Sequence, residues 1–196
     1  DAKRWKDVWS AGQGVGAVNV TFVDGISTTT FSNQTLGAIM DYRPVSTSVQ
    51  VRVTAVGSPT PLISRTLALS PTFDATFALV KPSSTPDLVV LQDTNRPWPE
   101  SEAKVRLVNL GVVTTTLGLH HPGGLRLAKE VTYTTASKYE RVDAGVSGFV
   151  VRDSGATLDQ FGVITTTATE PGHIYTLFVL PPLAGQTAPQ AVLQRD

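Results

Sequence analysis

The strongest constraint on the fold is a two-residue alternation that recurs along the chain in short bursts. In "SVQVRVTAVG" (Ser48 to Gly57) the apolar side chains are Val49, Val51 and Val53, while Gln50 and Arg52 face the other way. Successive side chains of a strand point to opposite faces, so this spacing predicts an antiparallel strand with one buried face. The residue types agree. Thr and Val cluster in "STTTF", "VTTTL" and "VITTTAT", and β-branched side chains lose rotamer freedom in helices but pack well on a pleated sheet. Sixteen glycines and thirteen prolines punctuate the segments, giving the closely spaced turns of a sandwich or barrel. No amphipathic helical window interrupts the pattern. The chain is expected to be all-β.

The bursts occur in two matching series. "SVQVRVTAVG" has an echo in "VSGFVVRDSG" (Val146 to Gly155), and "ALSPTFDATFALV" (Ala68 to Val80) in "TATEPGHIYTLFVL" (Thr167 to Leu180). "LVVLQD" (Leu88 to Asp93) returns as "AVLQRD" (Ala191 to Asp196), and "AKRW" at Ala2 as "AKVR" at Ala103. The order is the same in both halves and every offset is about 100 residues, as expected of a duplicated module. Each module reads as about seven strands, which suits an immunoglobulin-like sandwich. "DTNRPWPESE" (Asp93 to Glu102) breaks the strand pattern with two prolines and four charges. The expected organisation is therefore two tandem immunoglobulin-like antiparallel β-sandwich domains, 1–94 and 103–196, joined by a Pro-rich linker at 95–102.

Charge and composition narrow the partners. Sixteen basic residues balance sixteen acidic ones, so no net field recruits nucleic acid or an anionic membrane. No apolar run approaches the roughly 18 residues that span a bilayer. The absence of cysteine removes disulfides and thiolate metal sites. The chain opens at Asp1 rather than Met, which is read as the mark of a leader removed from an exported protein. The expected location is the periplasm, the cell envelope or the outside.

Gly12, Gly14 and Gly16 in "VWSAGQGVGAVNVTFVDG" give G-x-G-x-G followed by a strand. A dinucleotide loop needs G-x-G-x-x-G before a helix, whose N-terminus supplies the donors, so these glycines read as a turn. His120 and His121 are adjacent and would point to opposite faces of a strand; "HHPGG" reads as a hairpin tip, and His173 in "EPGH" as a second turn. A zinc site wants three or four convergent ligands, and no G-x-S-x-G elbow is present. No catalytic, cofactor-binding or metal residue is expected, and no cofactor. Trp5 and Trp9 share one strand face, and at least one of them reads as core. Trp98, held between prolines in "RPWPE", is the candidate partner-binding residue, since Trp is enriched at binding hot spots; packing is the competing role. Asn19 and Asn33 match glycosylation sequons, meaningful only in a eukaryotic secretory protein.

"KVRLVNL" (Lys104 to Leu110), "KYERVDAGVSGFVVRDSG" (Lys138 to Gly155) and "IYTLFVL" (Ile174 to Leu180) resemble the periplasmic accessory component of bacterial alginate O-acetylation and its relatives in cellulose acetylation. That resemblance implies two small β-sandwich domains, exported, without catalytic residues. It implies an adaptor that binds periplasmic or membrane acetyltransferase proteins, with a polysaccharide as a further partner. "AVNVTFVDG" (Ala17 to Gly25) with "LVVLQDTNRPWPESEAKVRLVN" is similar to secreted bacterial tandem immunoglobulin-like domains of unknown function. The second resemblance implies a generic secreted or surface interaction module, and a carbohydrate-binding module is the further alternative.

Overall fold

The computed structural model describes residues 3–9, 16–70, 73–81, 84–94, 101–153, 159–165 and 168–196, with 3–9 and 159–165 described by their backbone. Every regular element among them is a strand, and the chain divides into two compact units, Asp1–Thr94 and Asn95–Asp196.

The first unit holds β1 (Lys3–Trp9), β2 (Val18–Asp24), β3 (Ser27–Gln34), β4 (Arg43–Val45), β5 (Ser48–Ala55), β6 (Pro61–Ala68), β7 (Asp74–Val80) and β8 (Asp87–Asp93). They form two sheets, ordered β3-β2-β5-β6 and β4-β1-β7-β8. The alternation explains why the sheets enclose a core. Val18, Val20 and Phe22 of β2 and Val49, Val51 and Val53 of β5 turn to one side, where they meet Ala75, Phe77 and Leu79 of β7. Phe22 and Phe77 stack across the core with centroids 6.0 Å apart. Each such side chain contributes about 1.5–3 kcal/mol by leaving water.

The second unit holds β9 (Glu102–Asn109), β10 (Leu117–His120), β11 (Arg126–Val131), β12 (Thr135–Ala136), β13 (Glu140–Asp143), β14 (Gly148–Asp153), β15 (Asp159–Thr165), β16 (Ile174–Leu180) and β17 (Gln190–Arg195). Its sheets run β11-β10-β14-β15 and β12-β9-β16-β17, with β13 also on β9. Strand for strand this is the order of the first unit, with the interrupted pair β12 and β13 where β4 stands. Each sequence echo falls on strands holding the same place: β5 and β14, β7 and β16, β8 and β17, β1 and β9. The second core gathers Val105, Leu107, Leu119, Phe149, Val151, Tyr175 and Leu177.

Two expectations need correction. The sheets are not purely antiparallel, because β1 runs parallel to β7 and β9 parallel to β16. An immunoglobulin constant domain sets its first, second, fifth and fourth strands in one sheet and its third, sixth and seventh in the other. Here the first strand instead lies beside the seventh, and the strands between them serve as the long crossover that a parallel pair requires. The second correction concerns β7 and β16, which are buried along their whole length rather than on alternate residues. A strand with neighbours on both edges and cover on both faces reads as a continuous apolar run. The expected linker at 95–102 falls mostly outside the described residues; β9 already begins at Glu102.

Candidate functional site: paired clefts beside buried polar clusters

One polar cluster is built twice. In the first unit Thr76 Oγ1 donates to Asp93 Oδ2 at 2.6 Å and Tyr42 donates its hydroxyl to the same oxygen at 2.7 Å. In the second, Thr176 Oγ1 donates to Asp196 Oδ2 at 2.8 Å and Tyr139 does so at 2.9 Å. The aspartates close the echoing "LVVLQD" and "AVLQRD", and the tyrosines stand immediately before β4 and β13. Thr76, Thr176 and Asp93 are buried. The register sets Arg106 opposite Thr176 as it sets Lys6 opposite Thr76. Arg106 is fully buried, donates from Nε to Thr176 Oγ1 at 3.0 Å, and lies 4.6 Å from the centre of the Tyr139 ring. A hydrogen bond to a charged group contributes about 1.5–3 kcal/mol. Each cluster thus ties the last strand to its neighbour and to the segment entering the edge strand. These acids serve the fold.

His120 is buried at the end of β10, and the other two histidines are engaged at turns. The main chain of His121 donates to Leu125 O at 2.8 Å and accepts from Gly124 N at 2.9 Å, while its Nδ1 accepts from Gly123 N at 3.2 Å. The turn between β10 and β11 is therefore His121 to Leu125, with His120 still in β10 and Gly124 at φ +92°. His173 Nε2 lies 2.9 Å from Arg195 Nη2 and 3.3 Å from Glu170 Oε2 beside a second turn. Among the described residues no group of three or more His, Asp or Glu side chains could hold a metal ion.

Gly12 and Gly14 lie outside the described residues, as does Trp98, and of Trp5 and Trp9 only the backbone is described. Gly16 has φ +71° and leads into β2, so the glycine stretch connects two strands and no helix follows it. At the equivalent connection of the second unit, buried Asn109 makes the bend. Its Oδ1 accepts the amides of Gly111 and Val112 at 3.3 and 2.9 Å, and its Nδ2 donates to Val112 O and Val131 O.

Each unit opens a cleft between its hairpin and its short edge strand. In the first, a cleft of about 250 Å³ is lined by Phe22, Asp24, Ser27 and Thr29 of the β2–β3 hairpin and by Arg43, Pro44 and Val45 of β4. Arg43 is held there over the Phe31 ring at 4.7 Å, and Asp24 accepts Ser46 N at 2.9 Å. In the second, a cleft of about 270 Å³ is lined by His121, Leu125 and Leu127 around the β10–β11 turn, by Arg141, Val142 and Asp143 of β13, and by Glu102. Val45 and Val142 hold matching register positions, opposite Lys3 and Ala103. A separate cleft of about 460 Å³ along β11 shares Leu127 and is lined also by Arg126, Lys129, Lys138 and Glu140. Ile26 at the tip of one hairpin is fully exposed and Leu125 on the other is 70% exposed. No sequence motif marks these clefts, because each forms where the edges of two sheets meet.

The family model described as Domain of unknown function (DUF4397) matches residues 8–118, running from β1 into β10. No curated protein matches the chain. Among solved structures it is similar to CBMbc (family CBM26) from Eubacterium rectale Amy13K in complex with maltoheptaose, at 9% identity over 98% of this chain and 97% of that one, TM-score 0.28. It is also similar to a family 41 carbohydrate-binding module from streptococcal virulence factors, solved for alpha-glucan recognition, at 12% identity over 90% and 93%, TM-score 0.31. Similarities this low carry no argument about fold or ligand.

Proposed function

The chain belongs to the DUF4397 family, whose match covers more than half of it, and from that premise we propose that it is a non-catalytic binding module of an exported or envelope protein. The observation that supports this is the pair of clefts at one topological position in both units. Recognition sites sit in concave places where a few polar groups converge on apolar lining, and sandwiches carry their binding residues on connecting loops held by a rigid scaffold. Asp93 and Asp196 accept hydroxyls within their clusters, and His121 accepts a turn amide.

An adaptor for polysaccharide O-acetylation that binds acetyltransferase partners is the narrower form of this proposal. Its support is the resemblance carried by Lys104–Leu110, Lys138–Gly155 and Ile174–Leu180, segments that supply β9, β13, β14 and β16. Turnover assays with ester, glycoside and acetyl-donor substrates, run beside binding assays on glycans and envelope extract, test the proposal. Saturable binding without turnover is expected. Turnover that disappears when a cleft residue is replaced would overturn it.

A further inference from the structure

Both clefts offer the same mixture of groups, and the mixture has a chemical meaning. Asp24 stands near Arg43 in one, and Glu102 and Asp143 stand near Arg141 in the other, where Arg141 Nε is 3.9 Å from Glu102 Oε2. A carboxylate only accepts hydrogen bonds and a guanidinium only donates them. Neighbouring acceptors and donors fit a ligand whose groups do both, as the adjacent hydroxyls of a sugar ring do. The first cleft sets Asp24 against Arg43, and the second, counted with its neighbour along β11, sets Glu102, Glu140 and Asp143 against Arg126, Lys129, Lys138 and Arg141, so neither has a strong field that favours a polyanion. Exposed Leu125 and partly buried Leu127 add apolar surface against which the C–H face of a sugar can lie.

Length points to a chain rather than a single ring. In the second unit a neighbouring cleft of about 460 Å³ along β11 shares Leu127 with the cleft of about 270 Å³. The first unit has the shorter version. Resting on the binding-module reading above, we propose that each unit binds a segment of a neutral glycan between its two edge strands, β3 and β4 or β11 and β13, with the second unit the tighter site.

Affinity electrophoresis of the intact protein through gels containing soluble starch, hydroxyethylcellulose or alginate tests this. The variants are Leu125→Asp with Arg141→Ala in the second cleft and Arg43→Ala in the first, with Leu183→Asp as a control on an exposed side chain that lines neither. Retardation by a neutral polymer is expected, weakened at least tenfold by the Leu125 and Arg141 changes, less by Arg43→Ala, and not by Leu183→Asp. Circular dichroism checks that each variant is folded, and a Leu127→Ala variant replaces any that is not. Retardation by alginate alone would overturn the neutral-ligand assignment. Migration unchanged in every gel, with an envelope protein captured instead, would overturn the glycan site while leaving a binding module. Cleavage of the polymer would overturn the binding-module reading itself.

Discussion

Thr76 reaches Asp93 across 2.6 Å, and the same contact recurs between Thr176 and Asp196 at 2.8 Å in a unit of identical strand order. The hydroxyl lies on the central strand and the carboxylate at the end of its hairpin partner, so each pair closes the hairpin β7–β8 or β16–β17 where its ladder ends. The adjoining tyrosine adds the edge-strand segment to the same oxygen.

Replacing Asp93 with Ala leaves the Thr76 and Tyr42 hydroxyls without this acceptor in a buried place, at a cost of about 2–4 kcal/mol to the first unit. Differential scanning calorimetry should show its transition fall by roughly 8 °C or more. Asp196→Ala should act likewise on the second unit. A shift within about 1 °C for either would mean that the cluster is not holding its hairpin.

Gly111 is set by space, not by φ. A Cβ built there would stand 2.4 Å from the carbonyl carbon of Leu180 and 2.5 Å from its oxygen, both backbone atoms. Those atoms belong to the end of β16, whose Val179 carbonyl accepts Leu110 N at 2.8 Å, so retreat breaks the pairing. Gly111→Ala should cost about 1–3 kcal/mol as overpacking, read as a lower urea midpoint with unchanged slope. Gly123→Ala, whose nearest neighbour would be the His121 ring at 3.5 Å, should leave the midpoint in place.

Much of this architecture was legible in the residues. Val49, Val51 and Val53 announced a half-buried strand, which is β5, while the structure describes eight and nine strands in the two units where about seven in each were expected. The pairing of β1 with β7 was not legible, because strand partners are fixed by packing between distant segments and a parallel neighbour leaves no local turn signal. The clusters were half visible. Asp93 and Asp196 end the repeated "LVVLQD" and "AVLQRD", whereas Tyr42 in "DYRPV" and Tyr139 in "KYERV" share only a short Y-x-x-V pattern that carries no chemistry of its own. The clefts left no trace, since Arg43 and Arg141 are ordinary surface arginines until two sheet edges bring a hairpin beside them.

Phe77 is fully buried and stacks on Phe22, which meets Phe31 edge-on at 5.9 Å. Phe77→Ala should cost about 3–5 kcal/mol through lost burial and the cavity left behind. Phe31 also carries the Arg43 guanidinium over its ring, so loosening this aromatic column should weaken any ligand of the first cleft more than any ligand of the second. Equal weakening of both in titration calorimetry would contradict that coupling.

Arg65 and Asp87 form an ion pair at 3.6 Å with both side chains more than half exposed. Such pairs contribute about 0–1 kcal/mol and are screened by salt. Asp87→Asn should leave the urea midpoint unchanged within error at 0.5 M salt. A loss above about 2 kcal/mol there would show the pair to be far stronger than exposed ion pairs are.

The central proposal is that a ligand is recognised in the two matching clefts. Titrating the isotope-labelled protein with a neutral gluco-oligosaccharide while recording amide chemical shifts tests it directly. The prediction is that shifts concentrate on Asp24 to Thr29 and Arg43 to Val45, and more strongly on His121 to Lys129 and Arg141 to Asp143. Shifts gathered on the outer face of the β3-β2-β5-β6 sheet, or none at saturating ligand, would contradict it.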